Sequence, residues 1–124
     1  MNWCDLKIWE KSHELVIDVY EASGDMPSHE KFGLISQIRR AAYSIPVNIV
    51  EGHSRKSSKD FLRFLYISRG SLEELRYFIL LCKDLKYWDE TRYARLQKRT
   101  EEISIMMNAL IKKINMKISI SKEL

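Results

Sequence analysis

With only four glycines and two prolines in 124 residues, the chain has little punctuation. Together with 45% hydrophobic and 31% charged residues, that scarcity excludes a disordered chain and indicates an ordered, helix-rich one. Long apolar runs are missing too. Charges interrupt every window of about 18 residues, so no transmembrane helix and no membrane partner are expected. The N-terminus MNWCDLKIWEK lacks a basic region followed by an apolar run, which argues against a signal peptide. Cysteine is scarce: Cys4 and Cys82 lie far apart, which suits a reducing compartment and a cytoplasmic location. The three histidines, His13, His29 and His53, have no partner at metal-ligand or catalytic spacing. H-E-x-x-H, C-x-x-C and glycine-rich phosphate loops are all absent, so no metal, cofactor or catalytic residue is expected.

What is present is charge, unevenly spread. The net charge is +4. Residues 1–38 hold three basic and seven acidic side chains, residues 53–70 five and one, and residues 92–124 eight and three. An acidic first third followed by basic segments can attract a polyanion, or can pair one subunit with the next. The length suits one domain with a real hydrophobic core.

Apolar periodicity predicts four helices and no strand, an all-α antiparallel up-down-up-down four-helix bundle over residues 1–118. The first helix spans residues 5–22 and ends at Ser23-Gly24-Asp25-Met26-Pro27. The second starts at Ser28 as N-cap and runs to His53. It is kinked at Pro46, because proline cannot donate to the carbonyl of Ala42. The third spans residues 57–86. Its mid-helix Gly70 costs about 1 kcal/mol of propensity, for which close approach of the second helix near residues 40–44 is the expected compensation. Asp89 caps the fourth, whose seam runs Tyr93, Leu96, Thr100, Ile103, Met107, Leu110 and Ile114. Helical pattern fades after Asn115, so residues 119–124 are expected to be a disordered tail.

The second helix carries the most distinctive pattern. At about 100° per residue, Gly33, Gln37, Arg40, Ser44, Asn48 and Glu51 fall within an arc roughly 80° wide, beside an apolar arc of Leu34, Ile38, Ala41, Ile45 and Ile49. A polar row so close to a greasy face predicts a buried or half-buried network. In it, Gln37, Arg40, Ser44, Asn48 and Glu51 satisfy one another, Glu74 and nearby backbone, including the carbonyl freed by Pro46. The competing reading is a polar cavity that binds a small anion or ligand. Glu51-Gly52-His53-Ser54 combines acid, imidazole and hydroxyl, but sequence neighbours do not face one another on a helix, and catalysis there is remote.

Those residues carry a resemblance. The run FGLISQIRRAAYSIPVNIVEG (residues 32–52), followed by Ser54 to Ser57, Phe61, Phe64-Leu65 and GSLEEL (residues 70–75), resembles the bacterial 23S rRNA-intervening-sequence protein family. Trp9, Leu15, Tyr20, Pro27 and Glu30 fit the same pattern; Val50 and Met26 depart from it, where alanine and phenylalanine are common. The resemblance implies an up-down four-helix bundle, often assembled as a ring of five, and implies very little about activity. The accessory proteins of diversity-generating retroelements are similar in bundle and ring, and they engage nucleic acid and a reverse transcriptase.

Arg55, Lys56, Lys59 and Arg63 form the best candidate contact surface for RNA or DNA. Three of them share one side of the third helix, and Ser57 and Ser58 offer hydroxyls and free amides at its N-terminus. A surplus of apolar and aromatic residues (Phe32, Ile35, Tyr43, Val50, Trp3, Trp88, Tyr66, Tyr77) points to a homo-oligomer. The expected role is a non-enzymatic binding or scaffold module, a homopentameric ring whose basic surface contacts RNA or DNA. The alternative is an adaptor ring that binds a protein partner and no nucleic acid.

Overall fold

A computed structural model describes residues 2–3 and 6–123. Four α-helices follow in order: α1 (Lys7–Ser23), α2 (Leu34–His53), α3 (Ser58–Asp84) and α4 (Glu90–Glu123), with no strand among the described residues. Each helix packs on its two neighbours and on no diagonal one, α4 closing the square against α1. Short connections thus give the antiparallel up-down-up-down bundle that the periodicity predicts. The core is aliphatic, with Leu15, Ile38, Ile45, Leu72, Ile79 and Ile103 among its fully buried side chains. Cys4 and Asp5, where the redox reading and the first helix begin, lie outside the described residues.

α2 runs unbroken through Pro46, as the continuous apolar register requires. The side-chain donors near the proline reach other carbonyls than the expected one of Ala42: Ser68 Oγ on α3 donates to the Ile45 carbonyl (2.9 Å). Asn48 Nδ2 donates to that of Ser44 (2.7 Å). The start of α2 differs from the expected Ser28 cap. Ser28–Glu30 winds into a 3₁₀ turn, and α2 begins only at Leu34 behind Gly33. Glu30 is the reason. One carboxylate oxygen accepts from the Leu34 amide (3.4 Å), and the other accepts the Tyr87 hydroxyl (2.9 Å). A Cβ at Gly33 would stand 3.0 Å from that first oxygen, so glycine makes room for the clamp.

The far end of α3 closes similarly. Lys86 takes φ 65°, and the Tyr87 and Trp88 amides both return to the Cys82 carbonyl (2.9 and 3.3 Å). Trp88, expected among the exposed aromatics, is instead 3% exposed. Its indole donates to the Ala22 carbonyl (3.0 Å) and pins the α3–α4 connection to the end of α1. Asp89 caps α4 as expected, accepting from the Arg92 amide (2.8 Å), and α3 starts at Ser58 behind Ser57, whose side chain accepts from the Asp60 amide (3.1 Å).

Gly70 does not meet α2: nothing lies within 4 Å of where its Cβ would stand. The glycine that packing demands is Gly52, whose Cβ would come 2.7 Å from Phe64 Cβ and 2.9 Å from Phe61 Cδ1. The two helices therefore approach closely where α2 ends and α3 begins. α4 also departs from expectation, continuing as helix to Glu123. No proline or glycine follows Asn115 to stop it, although every side chain described beyond Ile118 is exposed.

Candidate nucleic-acid interface

Part of the charge imbalance between the two ends of the sequence is settled inside the chain. Antiparallel α1 and α4 align their acidic and basic rows. Arg92 pairs with Asp25 (3.0 Å), and Arg95 reaches Asp18 (3.8 Å). Arg99 bridges Asp18 (2.9 Å) and Glu14 (3.7 Å). The arginines nearest the start of α4 are therefore neutralised by α1 and offer little to an external anion.

The opposite end of the bundle is different. Here α2 finishes, α3 starts and α4 finishes, so the 54–57 loop meets the last turns of α4. Gly52 lets the buried Phe64 ring sit against α2, and that ring becomes a platform for two guanidinium groups. Arg55 lies 5.0 Å and Arg63 4.6 Å from its centroid. Cation–π contact orders both arginines without neutralising either, and a planar guanidinium so held suits phosphate recognition. Asp60 is the acid nearest to Arg63, at 3.9 Å, and both side chains are more than half exposed, so that pair is weak. Lys56 and Lys59 are exposed and make no ion pair among the described residues.

Ser57, Ser58 and Lys59 also line an open hollow of about 340 Å³ with Lys117, Ile118, Ser121 and Lys122. Lys117 and Lys122 were not legible as site residues. Their signal, the basic excess over residues 92–124, has no address until the antiparallel packing of α3 and α4 sets the last turns of α4 beside the first of α3. The basic end therefore unites Arg55, Lys56, Lys59 and Arg63 with two further lysines.

The polar row of α2 is not the predicted network. Gln37, Arg40 and Glu51 are exposed, as is Glu74 on α3, and Arg40 makes no ion pair among the described residues. Gln37, Arg40, Ser44 and Glu74 instead rim a polar hollow of about 270 Å³ with Ala41 and Ser71. Asn48 spends its amide on the Ser44 carbonyl. Glu51 belongs to a different place, the edge of an aromatic groove of about 430 Å³ lined by Trp3, Trp9, His13, Val16, Tyr43, Pro46, Val47 and Val50. The physical reason is that three polar positions of this arc point outward where water hydrates them, Gln37 and Arg40 beside the α2–α3 contact and Glu51 at the edge of the α1–α2 groove.

The remaining titratable candidates lie apart. His13 stacks on Trp9 (5.0 Å between centroids), and His53 meets Phe61 edge-on (5.7 Å). Burial, helped by the Glu30 charge, pushes the Cys82 thiol up to about 12. A thiol so hard to ionise packs as a small hydrophobe.

The 23S rRNA-intervening sequence protein family matches residues 4–109. A solved structure from Bacteroides thetaiotaomicron, described as a protein of unknown function from the S23 ribosomal protein family, is similar at 25% identity and a TM-score of 0.79. That match covers 85% of this chain and 98% of that one. Comparison with curated proteins found no match.

Proposed function

The chain belongs to the 23S rRNA-intervening sequence protein family, and on that premise we propose that it is a non-enzymatic, cytoplasmic binding module that assembles as a homopentameric ring and holds RNA or DNA at its basic end. One observation carries the nucleic-acid reading. Arg95 and Arg99 are paired to α1 and Arg92 to Asp25 just beyond it, whereas Arg55, Lys56, Lys59, Lys117 and Lys122 stand together at one end and make no ion pair among the described residues, with Arg63 only weakly engaged. Phosphate is the chemistry such a surface fits: guanidiniums fixed on Phe64, lysines around them, and the Ser57-capped start of α3 alongside. Arginines, lysines and a helix N-terminus are groups that hold phosphate, so contact with the nucleic-acid backbone rather than with sequence is expected. A ring would repeat the surface five times and raise avidity for a polyanion.

Assembly has its own support. Tyr43 and Val47 on α2, and Ile67 and Tyr77 on α3, are large apolar side chains left substantially exposed. Gly70 on α3 is a mid-helix glycine with no described atom within 4 Å of where its Cβ would stand. Light scattering on the purified protein should give five times the chain mass.

The decisive test is a salt titration of binding to labelled RNA and DNA. Log affinity should fall linearly with log salt, and reversing charge at Lys56, Lys59 and Arg63 should cut the magnitude of that slope by about 2 to 3. Absence of any shift at low salt with the assembled protein removes the nucleic-acid reading. The adaptor alternative draws on Phe32, which is 90% exposed at the other end of the bundle. It predicts a protein partner that survives nuclease treatment and is lost in Phe32→Ser.

A further inference from the structure

The outward row of α4 changes character along its length. Lys98, Glu101 and Glu102 give way to Ile105, Ala109, Met116 and Ile120, all within one helical face. A bundle helix normally keeps that row polar, yet Ile105 is 72% exposed and Met116 and Ile120 are each 56% exposed. Lys112 and Lys113 flank them and make no ion pair among the described residues. The family match ends at residue 109, so most of this apolar, cationic stripe lies beyond it.

A complementary surface exists on the same chain. The α1–α2 groove presents Trp3, Trp9, Tyr43 and Val47, with the Glu51 carboxylate exposed at its edge and unpaired among the described residues. The groove is apolar and acid-edged, whereas the stripe is apolar and lysine-edged. Both lie at the end of the bundle where α1 starts and α2 and α4 finish. In a closed cyclic ring every subunit stands the same way up, so surfaces at the same level are the ones that meet. Two different patches of one chain form the heterologous contact that a ring requires.

We propose that the C-terminal stripe of α4 docks into the Trp3–Trp9–Glu51 groove of a second copy of this chain, with Met116 and Ile120 against the aromatic rings and Lys112 and Lys113 beside Glu51. The inference rests on the ring reading and assigns it an interface.

Met116→Glu/Ile120→Glu alters exposed positions and should leave the helical circular dichroism intact, while placing acid against an acid-edged groove. Sedimentation should show association weakened at least tenfold relative to the native chain. Tryptophan emission should move to the red as Trp3 and Trp9 become wet. Glu51→Lys, made from the other side of the contact, should weaken association in the same way. If the native chain assembles and both variants assemble equally well, the docking is wrong and the ring stands on another interface. Dissociation without a change in emission also overturns it, because the groove is then not the receptor. A native chain that sediments as a monomer at every concentration removes the ring and this interface together.

Discussion

Gly52 illustrates how much one missing methyl group can organise. A Cβ there would come 2.7 Å from Phe64 Cβ, and Phe64 in turn holds Arg55 and Arg63. Gly52→Ala should therefore destabilise the fold by about 1–3 kcal/mol through overpacking, and should weaken polyanion binding beyond what the stability loss explains; chemical denaturation and a gel-shift titration check the two effects. Lys86 is the converse case, a residue with a Cβ held at φ 65°. Lys86→Gly should stabilise by about 1 kcal/mol, read as a higher denaturation midpoint. Cys82 sets an alkaline limit. Its thiol ionises near 9 when free and near 12 when folded, so below the lower value both states keep the proton and stability is complete. Between the two values the unfolded chain loses its proton first. Stability should then fall as pH rises, by at most about 1.4 kcal/mol per unit, and Cys82→Ala should remove this dependence.

At the scale of elements, the joints matter more than the helices. Glu30 ties the start of α2 to Tyr87, and Trp88 ties the α3–α4 connection to α1. The hydrogen bond to Glu30 raises the Tyr87 hydroxyl above its ordinary range, so this joint is at full strength at neutral pH and weakens in strong alkali. The α1–α4 contact relies on an ion-pair ladder centred on Asp18, the least exposed member at 17%. Asp18→Asn should cost about 1 kcal/mol at low salt, and less as salt screens the pairs. Thermal unfolding at two ionic strengths measures both effects.

For the whole molecule, the bundle sorts charge into a spent face and an available end. The arginines of early α4 are absorbed by α1, while those around Phe64 are held in place and left charged. That distinction explains why a modest net charge of +4 is compatible with a polyanion surface: the field at one end is set by local excess, not by the total. The basic hollow and the apolar stripe of α4 lie at the same end of the bundle and share Lys117 and Ser121 at their border.

Helix number, topology and core were determined by the sequence itself, because a 3.5 to 3.6 residue repeat is a one-dimensional signal and short connections leave antiparallel neighbours as the solution. The family could be read from residues 32–75 by resemblance, because the identities in FGLISQIRRAAYSIPVNIVEG and GSLEEL are themselves a linear pattern. The surroundings of each polar group could not. Periodicity placed Gln37, Arg40, Ser44, Asn48 and Glu51 on one arc, but only packing decided that most of that arc faces water, with Glu51 in a different groove from Arg40. It likewise assigned the close contact to Gly52 rather than Gly70 and buried Trp88 against Ala22. Lys117 and Lys122 joined Lys59 across some sixty residues of chain. Side-chain period is a property of one helix, whereas burial and pairing belong to two helices at a given rotation and height, and those coordinates exist only once the chain has folded.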